Sequence, residues 1–508
     1  MDVRRLLDEA ARLPPDRAAL RCGGRSHGYA DVAAVQDRMA RALREAGARP
    51  GDRVAAFFPN CHLFLAASYA ALKSDLALMP MNLRLAPAER DAVLRRGGAR
   101  FLLGTPALLP GTAEIVHADG WALACVSANA EDGEAPGGPR EGFLLYFTSG
   151  TTGDPKGVVL TRRNLEAHAA MTLEALRFSE RDVWLHATPM FHLADAWAIF
   201  TATAAGAGQA FLPRWDAGAA VALARDAGVT LTNLVPTLIP DFLDAAGRSP
   251  GGLPSLRLLL SGGSPLPPAL VGRIETTLGC EYAQTYGLTE TSPFLTFSFP
   301  DEAERLAPAA ERRRRLGRTG RAAPGIALRV VRPPASARFT DVRADDTEVG
   351  EVVVRGATVT PGYWRDERAT SEAFLGGWFH TGDLGTIDAS GSLQLVERAK
   401  DVIVSGGETV YSVEVERALL AHPAVREAAV YAVPDDRFGE AVRAAVVLEP
   451  GAAVDAATLL AFCRGRIAGY KCPRAIDVLE ALPRTGSGKI DKKRMREPFW
   501  LGRDRRIS

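Results

Sequence analysis

Residues able to do chemistry crowd into one stretch, Tyr146–Leu160, which reads YFTSGTTGDPKGVVL. The apolar run Phe143–Phe147 predicts a short buried strand, and after it the pattern changes to hydroxyls and glycine. Gly150, Gly153 and Gly157 let the backbone turn several N–H groups toward one point. Thr148, Ser149, Thr151 and Thr152 add hydroxyl donors, and Lys156 adds a positive charge. The guest that suits such a loop is a phosphate. A flexible Ser/Thr/Gly turn is the plain alternative, but a turn needs neither this density of donors nor a lysine. The P-loop of nucleotide triphosphatases requires Gly at 155 and Ser or Thr at 157, where this chain has Pro155 and Gly157.

A second group follows. Leu256–Leu260 predicts a buried strand running into SGGSPLPP (Ser261–Pro268), the kind of strand-to-loop corner where ligands sit in α/β sheets. Cys280–Tyr282 repeats the arrangement and leads into QTYGLTETS (Gln284–Ser292). That segment offers a ring for stacking, a glycine for close backbone approach, hydroxyls, and in Glu290 a carboxylate suited to a hard cation. His192, in TPMFHLADAWAIF, reads equally well as a core residue or a catalyst. Asp195 reads as a helix cap or as a polar wall. A TGD turn at Thr381–Asp383 could be purely structural, and LPRTGSGKIDKK (Leu482–Lys493) could be a basic exposed tail.

Elements must position these groups. Thr161 is placed to cap a helix with Leu165, Ala169, Leu173 and Leu176 on one stripe. Ala34–Ala46 has helical spacing and Arg53–Phe58 reads as a strand, so the chain layers helices on sheets. Ala196–Leu212 reads as a buried helix and strand, and Arg312–Arg315 as a solvated charge run. Beyond residue 399, a helix at Val413–Leu420 and strands at Val425–Val433, Ala441–Leu448 and Ala475–Leu479 predict an α+β domain of its own.

At 508 residues two or more domains are expected. The 61 basic and 60 acidic side chains leave a net charge of +1, which favours neither nucleic acid nor an anionic membrane as partner. No segment reads as a membrane span or a secretion signal. Six cysteines without a CxxC pair imply neither a disulfide frame nor a zinc site, and a cytoplasmic location is expected.

In their order and spacing, the phosphate loop, YGLTE, TGD, the segment ERAKDVIVSGGETVYSVEVE (Glu397–Glu416) and the terminal lysine resemble the adenylate-forming enzymes. Within them the chain looks most like the acyl-CoA synthetases, the aryl- or fatty-acid:CoA ligases. The resemblance implies a large N-terminal α/β domain of layered sheets and helices, residues 1–398, and a small mobile C-terminal α+β domain, residues 399–508. It implies activation of a carboxylic acid with ATP and Mg²⁺ to an acyl-adenylate, release of pyrophosphate, and transfer to coenzyme A.

By resemblance Thr148, Ser149, Gly150, Thr151, Thr152, Gly153 and Lys156 hold phosphates. Tyr286 stacks on adenine, Thr289 touches the α-phosphate, and Glu290, with Thr148, serves Mg²⁺. Gly263, Gln284, Thr285 and Gly287 complete the nucleotide and acid walls with His192 and Asp195. Asp383 takes the ribose hydroxyls, Arg398 contacts ribose or phosphate, Gly406 and Gly407 belong to the CoA passage, Lys400 is the pivot, and Lys489 is the catalytic lysine. Two positions depart from the pattern: Ser412, where these enzymes usually carry Pro, and Glu397, commonly Gly or Asp. The alternatives are an adenylating enzyme serving a carrier protein in trans, an amine or another acceptor, activation of an unusual acid, and an inactive nucleotide-binding protein. The assembly expected is a monomer or homodimer.

Overall fold

The computed structural model describes residues 1–14, 20–109, 115–126, 142–148, 155–263, 266–332, 339–485 and 490–501. The chain forms two compact units, Met1–Leu328 with Val354–Phe379, and Arg329–Val353 with His380–Ser508. The division expected from sequence falls later, after residue 398. Residues 380–398 thus lie in the second unit.

Two sheets organise the first unit. One runs in the order Arg321–Ala322, Thr296–Phe297, Glu281–Tyr286, Leu258–Gly262, Leu231–Asn233, Val183–His186, Gly208–Phe211, Leu20–Cys22, Arg25–His27. Its centre is parallel, with Gly262 opposite Thr285 and Trp184 opposite Leu231. The other runs Ile115–Val116, Ala122–Cys125, Ala99–Gly104, Arg53–Phe57, Ala77–Pro80, Phe143–Thr148, Lys156–Thr161. Strands buried on both faces need almost unbroken apolar sequence, and Leu258–Leu260 and Phe143–Leu145 supply it.

The main core lies between these sheets. It combines Leu144, Tyr146 and Leu160 from one with Trp184, Leu231 and Leu260 from the other, and adds helices Tyr29–Glu45, His62–Lys73, Arg162–Ala175 and Ala198–Ala205. The far side of the larger sheet carries its own core with helices Ala217–Asp226, Ile239–Arg248 and Pro268–Leu278. Thr161 caps its helix as expected, accepting from Asn164 N at 3.3 Å.

The arginine run Arg312–Arg315 lies at the surface, as expected, and is helical. Ala309–Leu316 is a helix, and its turn of about 100° per residue spreads the charges over Glu275, Glu304 and Glu311. Arg313 meets Glu275 at 2.7 Å and Arg315 meets Glu304 at 3.2 Å.

In the second unit a sheet ordered Glu408–Val410, Ile403–Ser405, Gly439–Leu448, Val425–Asp435, with Ala475–Val478 beside Gly439–Leu448, packs on helices Ser412–Leu420 and Ala456–Arg464. Leu393–Arg398 pairs antiparallel with Trp378–Ile387, Asp383 lying opposite Arg398. Among the described residues no helix is long and apolar enough to cross a membrane, and the six cysteines are free thiols.

Candidate active site

Two paired strands flank the phosphate loop candidate. Phe143–Thr148 pairs with Lys156–Thr161 in a register that sets Tyr146 opposite Val158 and Thr148 opposite Lys156. Thr148 Oγ1 donates to the Lys156 carbonyl at 3.4 Å. Both loop ends are therefore fixed. Ser149, Gly150, Thr151, Thr152 and Gly153 lie outside the described residues.

Lys156 is joined to the candidate metal carboxylate through one tyrosine. Its ammonium sits 5.1 Å from the centre of the Tyr363 ring, and the Tyr363 hydroxyl donates to Glu290 Oε1 at 2.9 Å. Burial, and then the neighbouring Glu290 charge, push the Tyr363 phenol above its ordinary pKa, so it keeps the proton it donates.

The segment around Tyr363 is stitched to both partners. Trp364 N donates to Gly157 O at 2.7 Å, Thr360 Oγ1 to Val159 O at 2.5 Å, and Thr360 N to Glu290 O at 2.8 Å. Asn164 donates to Ala357 O and Val359 O, each at 2.8 Å, and Ser292 Oγ to Thr358 O at 2.6 Å. Sequence reasoning passed over Tyr363. Its only sequence signal is an aromatic pair after Pro361-Gly362.

Tyr286 ends its strand and is 7% exposed. The backbone after it approaches another stretch closely, since a Cβ on Gly287 would stand 1.6 Å from the Pro293 carbonyl oxygen. Only glycine fits there. Thr289 and Glu290 begin a single 3₁₀ turn directly after this approach. Gln284 and Thr285 face inward: Tyr282 OH donates to Gln284 Oε1 at 2.6 Å, and Thr285 Oγ1 donates to Ser261 O at 3.1 Å. Their side chains hold the strand end in shape. Gly263 follows Leu258–Gly262 with φ +94, a left-handed conformation.

His192 caps the short helix Leu193–Ala196 by its backbone conformation. The preceding loop hangs on Asn60, whose amide donates to Thr188 O at 2.8 Å and whose Oδ1 accepts from Met190 N at 2.8 Å. Asp195 does not cap this helix. It lies inside it, fully buried, accepting from Trp184 Nε1 at 2.9 Å with His186 Nδ1 at 3.3 Å. Its Oδ2 is buried without a hydrogen-bond partner among the described residues. The helix starts three residues earlier because His192 takes the extended conformation of an N-cap.

The remaining positions sit in the second unit. Asp383 and Arg398 face each other across paired strands, with Arg398 Nε 3.0 Å from Asp383 Oδ1. The carboxylate is 4% exposed and fixed by this pair and by the turn, where Asp383 N donates to Thr381 Oγ1 at 3.1 Å. Lys400 lies in the 3₁₀ turn Ala399–Asp401; burial lowers its pKa, and Arg398 and Arg496 add to that against the pull of Asp401. Gly406 and Gly407 form the two-residue turn between Ile403–Ser405 and Glu408–Val410, at φ +62 and +84. A Cβ at Gly406 would stand 2.7 Å from Phe438 Cδ1, so its glycine has a structural reason. Lys489 lies outside the described residues; Arg484 and Ile490 form an isolated antiparallel bridge.

The model of the AMP-binding enzyme family matches residues 7–364, and that of the AMP-binding enzyme C-terminal domain matches residues 414–489. The chain belongs to the AMP-binding enzyme family. A feruloyl-CoA synthase from an Amycolatopsis species is 35% identical over 502 residues, 96% of this chain and 97% of its own. An indoleacetate–CoA ligase from Aromatoleum aromaticum is 33% identical over 515 residues, 98% of each. The solved structure of o-succinylbenzoate CoA synthetase from Bacillus subtilis with the acyl-adenylate intermediate OSB-AMP matches at a TM-score of 0.79 and 29% identity, covering 97% of both chains. The same enzyme in complex with ATP and a magnesium ion matches at 0.79. The resemblance read from motifs, and the layered α/β fold it implied, are borne out.

The side chains fit a magnesium ion that arrives on a triphosphate. Glu290 Oε1 accepts from the neutral Tyr363 hydroxyl, and among the described residues no group of three or more His, Cys, Asp or Glu could hold a metal by itself. A hard cation that keeps most of its ligands as water and phosphate oxygens needs one protein carboxylate of this kind.

Proposed function

We propose that the protein is an AMP-forming acid:CoA ligase: it converts a carboxylic acid and ATP to an acyl-adenylate and pyrophosphate, then moves the acyl group to the thiol of coenzyme A. The observation that carries this is the joining of Lys156 to Glu290 through Tyr363, which brings together a cation and a metal-seeking carboxylate.

In the first step a carboxylate oxygen bonds to the α-phosphorus while the bond to the bridging oxygen of pyrophosphate breaks. Both partners are anionic, so donors must spread the charge. Lys156 with Thr148, Ser149, Gly150, Thr151, Thr152 and Gly153 takes the β- and γ-phosphates. Tyr286 stacks on adenine, and Thr289 meets the α-phosphate. Asp383 accepts from the ribose hydroxyls while Arg398 holds it in place. Glu290 binds Mg²⁺, which when present neutralises phosphate charge. Lys489 is directed at the attacking and bridging oxygens. No general base is required, because the acid is ionised near neutral pH.

In the second step the thiol attacks the carbonyl carbon and AMP leaves. The acid lies near His192, with Gly263 and Gly287 allowing close approach and Asp195 as a polar wall. The C-terminal domain, residues 399–508, turns about Lys400 to exchange Lys489 for pantetheine, which passes by Gly406 and Gly407. The free thiols support a reducing cytoplasm.

The test is pyrophosphate release over a panel of aliphatic, aromatic and amino-substituted acids, with and without CoA, followed by mass identification of the product. Acid-dependent pyrophosphate release with a CoA thioester is expected. Release that no acid stimulates overturns the proposal.

A further inference from the structure

The two positions that depart from the motif pattern touch each other. Glu397, on the strand Leu393–Arg398, is 7% exposed, and its Oε2 accepts from Ser412 N at 2.7 Å and from Ser412 Oγ. Ser412 is wholly buried and opens the helix Ser412–Leu420. A proline there would have no N–H to give.

The contact continues into the C-terminal helix Lys492–Trp500. Lys492 donates to Ser412 Oγ at 2.6 Å and pairs with Glu416 at 2.7 Å. Burial alone would lower the Lys492 ammonium, but Glu416 and Glu397 outweigh it and hold its pKa above the ordinary value. One turn along the same helix, Arg496 pairs with Asp401 at 2.9 Å. The helix that begins three residues after Lys489 therefore reaches both sides of Lys400. Arg496 holds the residue after it, and Lys492, through Ser412, holds Glu397 three residues before it.

A turn about Lys400 treats these contacts differently. Asp401, Ser412, Glu416 and the last helix lie after the pivot and move as one body, tied by Arg496–Asp401 and Lys492–Glu416. Glu397 lies before it and is held by its strand, where it sits opposite Leu384. The carboxylate would be drawn away from both of its Ser412 donors.

We infer that Glu397 and Ser412 form a latch across the pivot, closed in one position of the C-terminal domain and open in the other. They are positioning residues that set the balance between the two half-reactions. The inference rests on the adenylation-then-thiolation reading above. Charge-assisted bonds to a buried carboxylate are among the stronger ones a protein makes, so closing the latch biases the domain toward one position.

The test uses Ser412→Pro, Glu397→Ala and the double variant in the full-length protein. Proline suits the first position of a helix, so Ser412→Pro removes both donors while leaving the helix intact. Single-turnover rates are measured for adenylate formation and for thioester formation from isolated acyl-adenylate, with amide hydrogen exchange followed over residues 399–411. Each single variant is expected to shift the ratio of the two rates at least fivefold in one common direction and to speed the exchange at least fivefold. The double variant should shift neither further. Equal change in both half-reactions, an unchanged ratio, or additive effects of the two substitutions overturns the latch. A wild-type protein that forms neither adenylate nor thioester defeats the functional reading instead. In that case unaltered exchange in the variants still refutes the latch.

Discussion

Replacing Tyr363 by Phe tests the cluster on which the functional reading stands. The substitution deletes the hydroxyl that donates to Glu290 Oε1 at 2.9 Å and keeps the ring beneath the Lys156 ammonium. A hydrogen bond to a charged acceptor contributes about 1.5–3 kcal/mol when buried. Glu290 is partly exposed and water can replace some of that, so a stability loss of about 1 kcal/mol is expected. The larger effect should fall on the metal. Groups that orient a metal-binding carboxylate change affinity by roughly 10–100-fold when removed, and the low end suits one neutral donor. The Mg²⁺ concentration for half-maximal pyrophosphate release, at saturating ATP and acid, should rise about tenfold, equivalent to about 1.4 kcal/mol. Tyr363→Ala, which also removes the ring, should in addition weaken ATP binding, since a cation over a ring contributes about 0.5–2 kcal/mol. An unshifted magnesium curve in Tyr363→Phe, with a lowered melting temperature, would show that the tyrosine only braces the fold.

Lys489→Ala should abolish acid-dependent pyrophosphate release while still permitting thioester formation from supplied acyl-adenylate; equal loss of both, by rapid quench, refutes the assigned roles. Gly287→Ala forces a Cβ to within 1.6 Å of the Pro293 carbonyl oxygen and should destabilise the protein by about 3 kcal/mol, read by urea denaturation, with ATP affinity falling as Glu290 is displaced. His168 is buried and its pKa lowered to about 3 by desolvation. The unfolded chain binds a proton there near pH 6.5 that the folded chain refuses, so this stability is present above pH 6.5 and lost as pH falls toward 3. At pH 5 the loss is about 2 kcal/mol, and His168→Gln should flatten that part of a melting-temperature profile between pH 4.5 and 6.5.

The scaffold was largely legible because its signals are local. Thr161 with its stripe of Leu165, Ala169 and Leu176, the strands around residues 144 and 260, and the C-terminal strands all appear within a residue or two of expectation. Residues whose meaning comes from distant partners were not legible. Asp195 looked like a cap because Asp often is one, whereas Trp184, eleven positions earlier on a strand, claims its Oδ1. Tyr363 stands 73 positions from the carboxylate it serves. Glu397 and Ser412 show in the sequence only as departures from the motif pattern. Their meeting depends on how strand and helix pack, which no spacing rule encodes.

The stitching of residues 357–364 to the Lys156–Thr161 strand and to the Glu290 turn has a bearing on building hybrid ligases from relatives. Swapping the phosphate hairpin alone would strand the donors Thr360 Oγ1 and Trp364 N on carbonyls that no longer fit. The unit of exchange is the hairpin together with this later segment and the turn beneath it, three discontinuous pieces inherited as one.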